Sequence, residues 1–355
     1  MNSGRTLEQL AAELTRQNKS KRDFIAPTEK ITMVPQESSV ALELNGSRVE
    51  SFGLRRTAHT QLATHLKVPQ QYYDRMLEKS PELLSRNVNH WLHSENEQRL
   101  VRTLDGDARA FLSGKYRTID NYDVAHAALP VMLEGGLEVD VMSSEVTESR
   151  MYIKAITKRV TFEVSKGDVV QAGIVLSNSE TGQGSVRIEP FIYRLICLNG
   201  MIAPTTLRKY HVGRSAEELD SATEVFRDAT REQDDKAFFM KMQDVVRAAF
   251  DANQLRKVSG QLIESAQQKI EQPIAQVIEV VAKKYQLSEG DSSNILENLI
   301  SGGIGNTRWG LANAVTACAN AEPSYEKATQ LERIGGELIY LPQRDWSALT
   351  AQAVA

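Results

Sequence analysis

Cysteine is almost missing. Cys197 and Cys318 are the two in 355 residues, far apart and without metal-ligand spacing, so neither a disulfide framework nor a cysteine metal site is expected. That usage suits a reducing, cytoplasmic compartment. Long apolar runs are missing too, and the opening MNSGRTLEQLAAEL has no signal-peptide core, so no membrane association is expected. Excess positive charge is absent: 42 Lys and Arg stand against 46 Asp and Glu, for a net charge of -4. Any nucleic-acid site must therefore be a local patch. SNSETGQGS (Ser177 to Ser185) has glycines but no following lysine, which excludes a phosphate loop of the Walker type. No base partner stands near Ser177, Ser179 or Ser185, and no third ligand joins His90 and His93. No cofactor or metal is called for.

The composition itself is ordinary for a globular chain, 41% hydrophobic and 25% charged, and the length suggests two or three compact units. Residues 1–98 read as a mixed helix and hairpin segment. Leu7, Leu10, Ala11 and Leu14 form a helical stripe, and VALELNGSRVESF (Val40 to Phe52) is a hairpin with Asn45-Gly46 at its tip. Thr57 to Leu77 reads as two helices broken at Val68-Pro69, a packed pair with superficial likeness to a helix-turn-helix. Residues 99–214 read as a central antiparallel sheet and residues 215–355 as a helical region. Within the last, Ser215 and Glu218 form a capping box before a stripe of Leu219, Ala222, Phe226 and Ala229. The fold class expected is α+β.

The centre of the chain carries the candidate site. SRMYIKAITKRVTFEV (Ser149 to Val164) alternates as a strand does, with Met151, Ile153 and Ala155 on one face and Arg150, Tyr152, Lys154 and Lys158 on the other. Cations alternating with an aromatic suit single-stranded nucleic acid, whose phosphates follow the charges while a base stacks on the ring. A solvated outer sheet face is the plainer alternative. Lys115 and Arg117 would extend the basic track. The Ser177–Ser185 loop reads as a mobile sheet loop over a binding surface. Cys197, among Leu195, Ile196 and Leu198, reads as an inert core thiol. Asp105, Asp107, Asp120 and Asp123 could chelate magnesium, although turn and cap roles explain all four.

QLATHLKVPQQYYDRML, RTLDGDARAFLSGKYRTIDN, SNSETGQGS with YRLICLNGM, and TRWGLANAVT together resemble a phage- and plasmid-borne family, a domain of unknown function called phage/plasmid-like protein. The resemblance runs from about Thr57 to Leu338. It implies membership and no particular activity. The order of helix, antiparallel strands and helix is also similar to the core of single-strand annealing recombinases. That topological likeness implies rings or filaments, a basic groove along the sheet and no nucleotide requirement.

The expectation is therefore a phage- or plasmid-type single-stranded DNA-binding protein that assists annealing or recombination without catalysis. It would be a homo-oligomer in the cytoplasm of a bacterial or phage-infected cell. Arg150, Lys154 and Lys158 would contact phosphates, Tyr152 would stack, and Lys115 and Arg117 would extend the track. Two alternatives stay open: a metal-dependent enzyme acting on nucleic acid through the four aspartates, and a structural or partner-binding protein with no nucleic-acid role.

Overall fold

The computed structural model describes residues 1–204 and 228–352, the side chains of 228–232 and 252–259 excepted. The Ser215/Glu218 capping box and its apolar stripe lie outside the described residues. The architecture is α+β, built on two sheets. No helix among the described residues is long and apolar enough to cross a membrane.

The first sheet has strand order β1-β5-β6-β4-β3-β2, where β1 is Arg22–Pro27, β2 Ile31–Pro35, β3 Val40–Asn45, β4 Val49–Leu54, β5 Gln98–Leu104 and β6 Asp107–Ser113. The Asn45-Gly46 turn joins β3 and β4 in the predicted hairpin, with Leu42 opposite Phe52. One pairing is parallel, Gly53 against Asp107 and Leu54 against Ala108. Because β5 and β6 complete this sheet, it runs to Ser113, past the boundary suggested at residue 98. Three helices cover it: α2 (Arg56–His65), α3 (Gln70–Lys79) and α4 (Pro81–Leu92). The helical pair on either side of Val68-Pro69 is packed into the core, where Tyr73 is fully buried with Leu62, Val88 and Phe111.

The second sheet is wholly antiparallel, in the order β11-β10-β9-β8-β7. Its strands are β7 (Val139–Val146), β8 (Met151–Ser165), β9 (Asp168–Asn178), β10 (Arg187–Arg194) and β11 (Asn199–Ile202). Helices cover both faces. On one side Met151, Ile153 and Ala155 pack against α1 (Leu7–Ser20), α5 (Asn121–Met132) and α6 (Asp228–Ala249). Thr6 starts α1 with a capping box closed by Gln9, which satisfies orphan amides at its first turn. Each fully buried aliphatic side chain here contributes roughly 1.5–3 kcal/mol.

The other face meets α7 (Ala252–Gln267), α8 (Ile274–Tyr285), α9 (Glu289–Ser301), α10 (Arg308–Cys318), α11 (Tyr325–Tyr340) and α12 (Gln343–Ala351). TRWGLANAVT becomes α10, buried almost all round. Its Trp309 Nε1 donates 2.8 Å to Asp168 Oδ2, and Asp168 also accepts from Arg194 at 2.6 Å. At Gly336 an added Cβ would stand 1.9 Å from the Ile202 carbonyl oxygen. That missing side chain lets α11 lie directly on β11, and one turn earlier the helix carries Glu332 over β8.

Candidate functional site

β8 corrects the sequence reading first. Its alternation is present, but the face assigned to solvent is covered by α11. Tyr152 is 5% exposed with its ring 5.6 Å from that of Tyr325, and Lys154 is 0% exposed. Lys154 Nζ donates 2.6 Å to Glu332 Oε2 and 3.1 Å to Thr329 Oγ1. Neither side chain can meet a strand in this fold. Period-two alternation reports that two faces differ, not which layer covers each. Lys158 is exposed and pairs with Asp140 at 2.8 Å. Arg117 is held by Asp234 and Asp235 of α6. Lys115 is exposed just beyond β6. Arg150 is half-buried at the turn into β8, and burial lowers its pKa.

The Ser177–Ser185 loop is not an open flap. Ser177, Asn178, Ser179, Glu180 and Thr181 are all buried, wedged between the two sheets. Buried polar groups need partners, and both halves of the chain supply them. Gln61 of α2 donates 2.7 Å to the Thr181 carbonyl, and Gln183 donates 2.9 Å to Thr57 Oγ1. Asn178 Nδ2 donates 2.9 Å to the Ile119 carbonyl and 2.9 Å to Asn121 Oδ1.

Arg102, fully buried, donates through Nε and Nη2 to Asp23 at 2.9 and 3.0 Å. It also reaches Asp120 Oδ1 at 2.6 Å and the Glu180 carbonyl at 2.9 Å. Burial works to raise the Asp120 pKa, but Arg102 and Lys21 override it and hold that carboxyl below its usual range. The Glu180 carboxylate accepts from the Asn121 amide at the start of α5 and from Arg109 Nη1.

Beside this loop lies a cavity of about 450 Å³, lined among others by Arg55, Arg109, Arg150, Glu180, Thr147 and Ser149. Arg55 is engaged by Asp107 at 3.3 Å. Arg150 is not matched in this way: its guanidinium donates to the Gln183 carbonyl and has no carboxylate partner among the described residues. Arg109 and Glu180 were not picked out as site residues by sequence reasoning. Their one signal was a glutamate set among hydroxyl residues in SNSET and an arginine inside the apolar run ARAFL.

The four aspartates do not converge. Asp105 pairs with Arg16, Asp107 with Arg55 and Asp120 with Lys21 and Arg102. No three His, Cys, Asp or Glu side chains gather to hold a metal ion among the described residues. His93 Nε2 lies 3.0 Å from the Ile31 carbonyl oxygen, and His90 stacks edge-on against Trp91. Cys197 is also corrected. It is half-exposed in the turn between β10 and β11, where Ile196 and Leu198 are 59% and 58% exposed. Arg194 Nη1 donates 2.8 Å to its Sγ. The apolar letters that suggested a core segment mark a hairpin tip.

These features describe an α+β protein of two helix-covered sheets, joined by a buried polar loop beside a cleft lined by both arginines and carboxylates. The chain belongs to the family defined by a domain of unknown function, DUF932, whose model matches residues 110–332. The match takes in Arg150, the Ser177–Ser185 loop and Glu332. No curated protein and no solved structure matches the chain.

Proposed function

We propose that this protein is a phage- or plasmid-type single-stranded DNA-binding protein that assists annealing without catalysis, and that it takes phosphate in the cleft beside Glu180. The observation that supports this reading is the state of Arg150. Most other cations near the cleft are neutralised by carboxylates of the chain, whereas Arg150 has none among the described residues and lines a cavity that Arg109 also lines. A guanidinium of this kind is suited to phosphate. Lys115, exposed beyond β6, would add a second contact outside the cleft. Lys154 and Tyr152 play no part in this version. The same reading expects a homo-oligomer in the cytoplasm, which light scattering would register.

The test is fluorescence anisotropy with single-stranded and duplex DNA over a series of salt concentrations. Arg150→Glu should weaken single-strand binding for every sequence and flatten the salt dependence by roughly 0.7 in log–log slope per lost phosphate contact. Lys158→Gln, outside the cleft and paired with Asp140, should leave both unchanged. Unaltered affinity in Arg150→Glu would place the strand elsewhere, and absence of any salt-sensitive binding would remove the reading.

A further inference from the structure

Register across the second sheet brings another arginine beside Arg150. Tyr152 stands opposite Ser177, and Ser177 opposite Arg187 at the start of β10. Directly opposed residues point to one face, so Arg187 shares the face of Tyr152, roughly 10 Å away at two strand spacings. Arg150, just before β8, crosses that gap. Its guanidinium donates to the Gln183 carbonyl, and an added Cβ at Gly184 would stand 2.6 Å from its Nη1. Arg187 follows that turn directly and is half-buried. Of its guanidinium nitrogens only Nε is enclosed, so the two terminal ones reach solvent, and no hydrogen bond or ion pair holds them among the described residues. Nearby carboxylates are already engaged. Glu189, next along the same face of β10, is gripped at both oxygens by Arg333 of α11. Glu326, in the first turn of α11, accepts from Thr147 and Ser149. Burial lowers the Arg150 pKa, and the charges of Arg187 and Arg333 push it the same way.

We infer that Arg150 and Arg187 together seat one backbone phosphodiester, each guanidinium donating to one of its two non-bridging oxygens. The inference rests on the single-strand reading, to which it adds the second residue and the form of phosphate taken. Both guanidiniums stay charged at any working pH and match phosphate oxygens in their plane. Two like charges held side by side repel, and an anion between them removes that cost. The terminal nitrogens of Arg187 open to solvent and not into an enclosed pocket, so a chain can continue on both sides of the phosphate. Inorganic phosphate offers the same oxygens without the chain.

The experiment measures the anisotropy of a labelled oligothymidine strand with the wild type, Arg150→Gln, Arg187→Gln and the double variant over a salt series. The thermal shift produced by inorganic phosphate is measured alongside. Each single variant should bind about tenfold more weakly, the value of a charge-assisted hydrogen bond converted to affinity. The double variant should lose little more than either single, because both residues act on one phosphate. Its log–log salt slope should flatten by roughly 0.7, the value for one contact and not two. In the wild type the strand should shield both arginines from phenylglyoxal while the exposed Arg344 of α12 stays reactive; this mapping serves if Arg187→Gln does not fold. Losses that multiply in the double variant overturn the shared seat. Unchanged binding by Arg187→Gln, or Arg187 as reactive with the strand as without it, also overturns it, and weaker binding by Arg150→Gln then leaves the single-strand reading standing. A thermal shift by inorganic phosphate that is lost in the variants, with no strand bound, supports the seat and overturns the strand as its carrier. No response to either ligand overturns both.

Discussion

Lys154 keeps an ammonium group out of water altogether. Burial drives its pKa down, and Glu332, 2.6 Å away, pulls it back toward the charged form. The Tyr325 ring lies 4.5 Å below Nζ and adds a cation–π contact. A pair of this kind contributes little net stability, because removing two charges from water costs about what their attraction returns. Breaking it is another matter. Lys154→Ala leaves Glu332 buried and alone and should cost about 3–5 kcal/mol, whereas Lys154→Met with Glu332→Leu should stay close to wild type. Urea denaturation midpoints of the single and double variants measure the contrast. A double variant as unstable as the single would mean that the pair itself, and not merely its pairing, carries the stability.

Between elements, the contact of α2 with α3 holds a titrating group. His59 is 8% exposed and its Nδ1 lies 2.9 Å from the Tyr73 hydroxyl. Burial, helped by Arg56, lowers its pKa from 6.5 to about 4. The folded-state value lies below the unfolded one, so the unfolded chain takes up the proton first. Stability present above about pH 6.5 should therefore be lost as pH falls toward about 4, by an amount on the order of 3 kcal/mol. His59→Gln should flatten that part of the curve, and stability measured by urea at a series of pH values reads it. The local elements here were legible in the sequence for local reasons: Asn45-Gly46 marks a turn by itself, and Val68-Pro69 breaks a helix by itself. β8 was legible as a strand with its two faces correctly separated. Its covering layer was not, because Glu332 and Tyr325 lie far along the chain and no local pattern announces α11. SNSETGQGS failed in the opposite sense. Its polar letters suggest an open loop, yet partners from α2, β5, β6 and α5 let it be buried.

Across the whole molecule, that buried loop stands between separate apolar cores. One core belongs to the first sheet with α2–α4, and the others surround the second sheet. Arg102 is the principal tie. From β5 it reaches Asp23 in its own sheet, Asp120 at the cap of α5 and the Glu180 carbonyl beyond β9. Separate cores with a polar seam unfold together only while the seam couples them. In wild type, peptides from β3–β5 and from β8–β10 should lose hydrogen-exchange protection at the same urea concentration. Arg102→Ala takes that guanidinium from Asp23, which is solvent-exposed, and from Asp120, which keeps Lys21, a loss of roughly 1.5–3 kcal/mol on the scale of hydrogen bonds to charged groups. The two transitions should then separate, with one sheet still protected where the other has opened. Lys21 remains on Asp120, and the Asn121 amide at the start of α5 stays on Glu180, so the effect is confined to the seam. If both transitions move down in urea but stay coincident, apolar contacts hold the halves together and the Arg102 network only adds stability.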